Sequence, residues 1–179
     1  SVNKGWPDVM AVAEECARLL GAGFASPSEV LVEVRSYGPS PGPSTKDVPR
    51  GVRLVHALDP GPRDVSAAYS ACDVWLCTSA SEGYGFPSLE AMSCGVPVVT
   101  YANGGHSAFM LDGVNGYVVP VGSPAEAAER VVRISTSPAL SASRSASAEE
   151  TARALSWPAA AEKMDALLRA VFSSRGIPC

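Results

Sequence analysis

Between Trp6 and Leu20 the apolar residues Val9, Met10, Val12, Ala13, Cys16, Ala17, Leu19 and Leu20 recur at helical spacing, with Pro7 and Asp8 in the first turn and Gly21 beyond the last. The spacing predicts a helix. From Glu29 to Ser36 the pattern changes to alternation, with Val30, Val32 and Val34 on one side, which predicts a strand. Tyr37 to Gly51 is rich in Pro, Gly and Ser and reads as a connection. Val52 to Leu58 reads as a second strand, holding His56 as a packed core histidine, and Asp64 to Ser70 as a short helix. The densest stretch follows, Ala71 to Tyr101. It predicts a buried strand (Asp73 to Thr78), a loop carrying Glu82, Gly83 and Gly85, a helix entered through Pro87 and stopped at Gly95, and a second apolar strand from Val96 to Tyr101.

After Tyr101 come Ala102, Asn103 and the pair Gly104 and Gly105, then a turn over Leu111 to Gly116 in which Asp112 stabilises the bend, and a strand from Tyr117 to Val121. Ser123 is placed to cap a helix from Pro124 to about Ile134, with Glu126 at its third position. Ser135 to Ser147 is serine-rich and loosely patterned, and two further helices are expected over 148–155 and from Trp157 to Phe172. Strands alternating with helices predict a Rossmann-like α/β/α domain with a mostly parallel sheet.

The central stretch also carries candidate chemistry. Pro suits the first turn of a helix, where its missing N–H would have no partner anyway, and Gly past the last turn supplies the left-handed cap. The helix therefore starts at the C-terminal end of a strand, the edge at which open α/β sheets bind ligands. Its unpaired N–H groups and positive dipole end suit a phosphate, and Gly83 and Gly85 let backbone approach it closely. Two carboxylates bracket that site, Glu82 before the turn and Glu90 about one turn inside the helix. Beside a phosphate each must look elsewhere, at neutral hydroxyls, from which carboxylates accept hydrogen bonds well. A ligand anionic in its middle and hydroxyl-rich at both ends is a nucleotide-sugar.

Composition narrows the classes. The 179 residues are 46% hydrophobic and 18% charged with a net charge of −4, an ordinary globular profile without the basic surface that nucleic acid requires. The five cysteines, Cys16, Cys72, Cys77, Cys94 and Cys179, contain no C-x-x-C pair and read as reduced core thiols of a cytoplasmic protein, with neither a disulfide frame nor a metal site. No apolar run is long enough to span a membrane.

The run Glu82, Gly83, Tyr84, Gly85, Phe86, Pro87, Ser88, Leu89, Glu90, Ala91, Met92, Ser93, Cys94, Gly95, Val96, Pro97, Val98, Val99 resembles the retaining GT-B glycosyltransferases of the group 1, family 4 type. Their hallmark is Glu-x7-Glu within a phrase such as E-G-[FY]-G-x-P-x-x-E-A-M-x-x-G-x-P-V-V. The resemblance implies that Glu82 contacts the transferred sugar, that Glu90 holds the ribose hydroxyls, and that backbone amides near Tyr84 to Phe86 face the sugar and diphosphate. Asn3, Lys4 and Gly5 match the family's K-G, whose lysine reaches the diphosphate; a cation there neutralises charge on the departing nucleotide. Gly104 and Gly105 are expected near the donor. Ala108 stands where the family commonly has a glutamate. His106 either touches the donor or is an exposed loop histidine.

The resemblance covers nearly the whole chain, as the C-terminal, donor-binding half of a GT-B fold, with an N-terminal domain missing and the helices over 148–172 packing toward it. The implied reaction is retaining transfer of a sugar from a nucleoside-diphosphate sugar to a hydroxyl of a glycan, lipid or small molecule. It implies Glu82 and Lys4 as the catalytic residues, with Gly83, Tyr84, Gly85, Phe86, Glu90, Gly104, Gly105 and His106 binding the substrate. No cofactor and no metal are expected, the place is cytoplasmic or peripheral at the inner face of a membrane through the missing domain, and nucleic acid is not a partner. The alternatives are a donor-binding module or fragment with no activity alone, or another GT-B-type enzyme such as a nucleotide-sugar epimerase.

Overall fold

The computed structural model describes residues 5–21, 31–39, 44, 46 and 48–174. In chain order the elements are α1 (Trp6–Gly21), β1 (Val32–Gly38), β2 (Val52–Leu58), α2 (Pro62–Ser70), β3 (Trp75–Cys77), α3 (Phe86–Ser93), β4 (Val98–Tyr101), a 3-10 turn (Gly105–Ala108), β5 (Gly116–Val119), α4 (Pro124–Ser135), α5 (Pro138–Ala154) and α6 (Trp157–Ser174). β1 pairs with β2, and β3, β4 and β5 form a three-stranded sheet with β4 in the middle; all these pairings are parallel. Helices flank the strands, giving the Rossmann-like α/β architecture.

The layers follow from β4. All four of its residues are buried, as expected of a parallel strand covered on both faces. Because successive side chains point to opposite faces, Val99 and Tyr101 enter a core with Val12 and Cys16 of α1, Tyr117 and Val119 of β5, and Ala127, Ala128 and Ile134 of α4. Val98 enters a second core with Tyr69 of α2, Ala91 and Met92 of α3, Phe109, Met110, and Ala148 and Ala152 of α5. The site therefore grows from a strand clamped on both sides.

Several boundaries differ from the sequence expectations. β1 runs on through Tyr37 and Gly38 in register with Ala57 and Leu58, so part of the expected connection is strand; Glu29 and Val30 lie outside the described residues. β3 is shorter than 73–78. His56 is half-buried on the ladder, its Nδ1 3.0 Å from Ser36 Oγ on the paired residue of β1, and is not a core histidine. Cys16 is buried, but Cys72, Cys77 and Cys94 are only partly so; Cys179 lies outside the described residues. Ser123 makes no side-chain capping bond, and meets the helix through its carbonyl, which accepts from the N–H of Ala127.

The largest correction is α5, which begins ten residues before the expected helix at 148, at Pro138. The N–H of Leu140 bonds the Ser137 hydroxyl at 3.4 Å, a cap at the helix start. Its buried residues, Ala148 and Ala152, lie in the expected part; the added turns over 138–147 are mostly serine and alanine, with Leu140 packing on the core, and write no apolar stripe into the sequence. Among the described residues no helix is long and apolar enough to cross a membrane.

Asn115 closes the turn between the 3-10 segment and β5. It is fully buried. Its Oδ1 accepts from Leu111 N–H at 2.8 Å, and its Nδ2 donates to Phe109 O at 2.8 Å and to Thr151 Oγ1 of α5 at 3.0 Å. Asp112, as expected, holds the bend by accepting from Val118 N–H at 2.9 Å. Replacing Asn115 with Ala strands a buried N–H and a carbonyl at about 1–3 kcal/mol each. Asn115→Ala is expected to lower unfolding free energy by about 3 kcal/mol, read as a shift of the urea midpoint.

Candidate functional site

The C-terminal ends of β3 and β4 lie side by side, and the loops that leave them touch backbone to backbone. Thr78, just past β3, donates its hydroxyl to Gly5 O at 2.8 Å, which brings the start of α1 to the same edge. Lys4, one residue earlier, lies outside the described residues. Glu82 N–H donates to Asn103 O at 3.2 Å. At Gly105 an added Cβ would stand 2.7 Å from Glu82 O and 2.8 Å from Glu82 Cβ. No larger residue fits there without moving the loop.

Gly85 is the residue before α3, at φ +87°, a backbone region that favours glycine. A Cβ on it would lie 2.7 Å from His106 Nε2. No side chain caps α3, and Pro87 follows in its first turn, so the helix presents its start as bare backbone with its dipole's positive end. Gly83, Phe86 and Gly104 are exposed around it and Glu82 and Tyr84 are half-buried. The Tyr84 ring packs between Phe86 and Phe109, at centroid distances of 4.9 and 5.5 Å.

His106 is only 2% exposed, so it is not the exposed loop histidine of one expectation. Both ring nitrogens are engaged inside the protein. Nε2 lies 2.7 Å from Ser88 Oγ of α3, and Nδ1 lies 2.7 Å from Asn103 Oδ1 and 3.1 Å from Thr100 Oγ1. Ser88 Oγ in turn accepts from Trp75 Nε1 at 3.2 Å. Burial holds the imidazole below its ordinary pKa, against the Glu82 carboxylate, which pulls the other way.

Glu90 is exposed on α3, one turn past Phe86 and Pro87, and faces a different hollow. A cleft of about 450 Å³ runs between the end of β1, α2 and α3, with Tyr37, Pro60, Pro62, Tyr69, Glu90 and Cys94 among its walls. Tyr69, 3% exposed, donates its hydroxyl to Glu90 Oε2 at 3.0 Å. The Tyr37 hydroxyl stands 2.6 Å from that of Tyr69 and is the donor of this pair, because the Tyr69 proton is already used. Burial first, then the neighbouring Tyr37 and Glu90, raise the Tyr69 phenol far above its usual pKa. Tyr37 is also raised, by burial. Both phenols stay protonated donors, so one carboxylate oxygen is tied down while the other is left to the cleft.

The fold thus gathers Glu82, Gly83, Tyr84, Gly85, Phe86, Gly104, Gly105 and His106 at one edge and sets Glu90 one turn away, toward its own cleft. The sequence reading missed Tyr37, Tyr69, Ser88, Asn103 and Thr100. Tyr37 was placed in a connection, and Ser88 carried no signal beyond a polar residue inside an apolar phrase.

A family model described as glycosyl transferases group 1 matches residues 48–153. The chain is 32% identical over 145 residues to the D-inositol 3-phosphate glycosyltransferase of Actinosynnema mirum, a match covering 80% of this chain and 32% of that relative. It is similar in fold to sucrose-phosphate synthase from Thermosynechococcus elongatus, with a TM-score of 0.70 at 23% identity, over 97% of this chain and 44% of that one. Anabaena HepE in complex with UDP and glucose matches with a TM-score of 0.51 at 28% identity, over 60% of this chain and 27% of that one. The chain spans about a third of the length of the curated relative it matches.

The tight seat of Gly85 on the His106 ring makes a prediction that needs no ligand. Gly85→Ala meets both the positive φ and the imidazole, and is expected to destabilise the protein by about 3 kcal/mol, measured by urea unfolding.

Proposed function

The chain belongs to the group 1 glycosyl transferases, and on that premise we propose that it is the donor-binding part of an enzyme that moves a sugar from a nucleoside-diphosphate sugar to an acceptor hydroxyl with retention at the anomeric carbon. The observation that carries this reading is the separation of its two carboxylates. Glu82 stands at the sheet edge beside the bare start of α3, and Glu90 faces the cleft between α2 and α3. A diphosphate lying across the start of α3 meets N–H groups and the positive dipole end. Its sugar then falls on the Glu82 side and its ribose and base on the Glu90 side. The free oxygen of Glu90 accepts from ribose hydroxyls, while the proline and tyrosine walls of the cleft cover the apolar faces of the base.

In this reading Lys4 and the helix start stabilise the charge that builds on the departing diphosphate. Lys4 precedes Gly5, which lies against Thr78 at the same edge. Glu82 orients the sugar, Gly83 to Phe86 line it with backbone, and Gly104 and Gly105 close the edge opposite. The acceptor is held by a further domain of the enzyme. The apolar stripe of α6, with Trp157 81% and Leu167 59% exposed and Met164, Leu168, Val171 and Phe172 at helical spacing beside them, is shaped to be covered by that domain. Because the match covers about a third of its relative's length, binding of donor without turnover is the second reading.

Calorimetric titration with UDP, GDP and ADP, followed by a transfer assay on UDP-glucose, tests both; UDP comes first because HepE was solved with UDP and glucose. At least one diphosphate is expected to bind. Glu90→Gln keeps an acceptor for Tyr69 but loses the charge, and is expected to weaken that binding about tenfold or more, the worth of charge-assisted hydrogen bonds. Turnover supports the complete reading, and binding alone supports the donor module. No binding of any of the three, or unchanged affinity in Glu90→Gln, would overturn both.

A further inference from the structure

We propose that His106 is a positioning residue for the donor edge: a neutral imidazole, with its proton on Nδ1, that ties the first turn of α3 to the loop after β4, so that its protonation loosens the site. The tautomer follows from the hydrogen bonds. Asn103 Nδ2 donates to Ser79 O at 3.2 Å, with Cys77 Sγ 3.8 Å away, which turns the Asn103 amide so that Oδ1 faces the ring. An amide oxygen 2.7 Å from Nδ1 requires a donor there. The Thr100 hydroxyl spends its own proton on Tyr101 O at 3.1 Å and offers Nδ1 only lone pairs. Nε2 is then the acceptor, and the Ser88 hydroxyl, itself accepting from Trp75 Nε1, donates to it.

The result is a chain of donors with one direction, from Trp75 on β3 through Ser88 on α3 and the ring to Asn103 and back to the loop after β3. Gly85 rests on that ring and Gly105 rests on Glu82. Movement of the imidazole therefore passes into the segment that carries Glu82, Gly83 and Gly85. Protonation puts the ring's second N–H hydrogen on Nε2, facing a hydroxyl that already points its own hydrogen at that nitrogen. The ring's neighbours are the neutral Ser88, Thr100, Asn103 and Phe109, and Trp75 of β3, which bonds Ser88, is neutral too. Among the described residues, the charge that acts on the ring is that of Glu82, which favours the cation and is outweighed by burial.

The affinity part of the test rests on the donor reading above; the spectroscopic part does not. The chain has two histidines, so nitrogen-15 spectra of the imidazoles, with His56→Asn for assignment, report the His106 tautomer directly. The expected result is an Nδ1–H neutral ring at pH 7 that stays neutral well below about pH 6.5, the ordinary value. An Nε2–H tautomer, or a cation at about pH 6.5, overturns the proposal.

Binding is measured with UDP-glucose from about pH 8 to pH 5, because UDP-glucose lacks the terminal phosphate proton that titrates near pH 6. The expected affinity of the parent falls toward pH 5. His106→Asn, which keeps the Nδ1-side donor and loses the Nε2 acceptor, is expected to bind about tenfold more weakly at pH 7.5 and with a flattened profile. His56→Asn is expected to leave both unchanged. Parent-like affinity in folded His106→Asn, or an undiminished pH profile, overturns the proposal. Should that variant not fold, Ser88→Ala, which removes the hydroxyl on Nε2 and with it the acceptor of Trp75 Nε1, takes its place with the same expected loss. Should UDP-glucose bind at no pH, the donor reading fails, and the spectra still decide the tautomer.

Discussion

The edge of this domain is organised by two places where a side chain is forbidden. Gly105 lies on the backbone of Glu82, and Gly85 lies on the imidazole of His106. Both contacts are steric, so with the imidazole in place they hold the loops after β3 and β4 in one relative position. In the function proposed above, the donor meets a surface shaped before it arrives. Preorganised N–H groups and dipoles act at their full strength because nothing has to be reoriented when charge develops.

That edge was legible from the sequence to an unusual degree, and for a physical reason. A helix start on a strand end needs Gly before it, Pro in its first turn and Gly after it, and those residues declare themselves as letters. The same phrase carries Glu82 and Glu90. What stayed hidden was whatever depends on contacts between distant segments. Tyr69 lies 21 residues before Glu90, and Tyr37 lies 32 before Tyr69, so no spacing rule joins them. The last turns of α5, with the buried Ala148 and Ala152, were legible, but its first ten residues were not: apart from Leu140, which packs on the core, they are mostly serine and alanine and give no helical contrast of apolar and polar positions. His106 was visible as a residue, but whether its ring faced out or in was decided by Ser88, Asn103 and Thr100, none of which announces itself.

The two carboxylates live in different electrostatic surroundings. Glu90 is exposed yet held, because Tyr69 brings a donor that cannot easily lose its proton and Tyr37 supports that donor in turn. A phenol buried this way acts as a fixed dipole, orienting the carboxylate at little cost in its hydration, since the second oxygen remains in the open cleft. Glu82 is half-buried and fixed through its own backbone, by the bond to Asn103 O and by the pressure of Gly105. One acid is positioned by its side chain and the other by its main chain, so substitutions around them act through different routes.

The buried chain from Trp75 to Asn103 also explains why the interior of the domain is not uniformly apolar near the edge. Thr78, Ser79, Ser88, Thr100, Asn103 and His106 are all buried there, although apolar residues of the same volumes would cost less desolvation. The apolar contacts of Ala91 and Met92 with the core around Val98 have no direction of their own, which leaves a helix freedom to shift. Hydrogen bonds with a single donor direction remove that freedom, and an error of even one partner strands a buried polar atom at about 1–3 kcal/mol. The polar residues cluster where the helix, both loops and the strand end meet, and their hydrogen bonds tie the helix start to both loops.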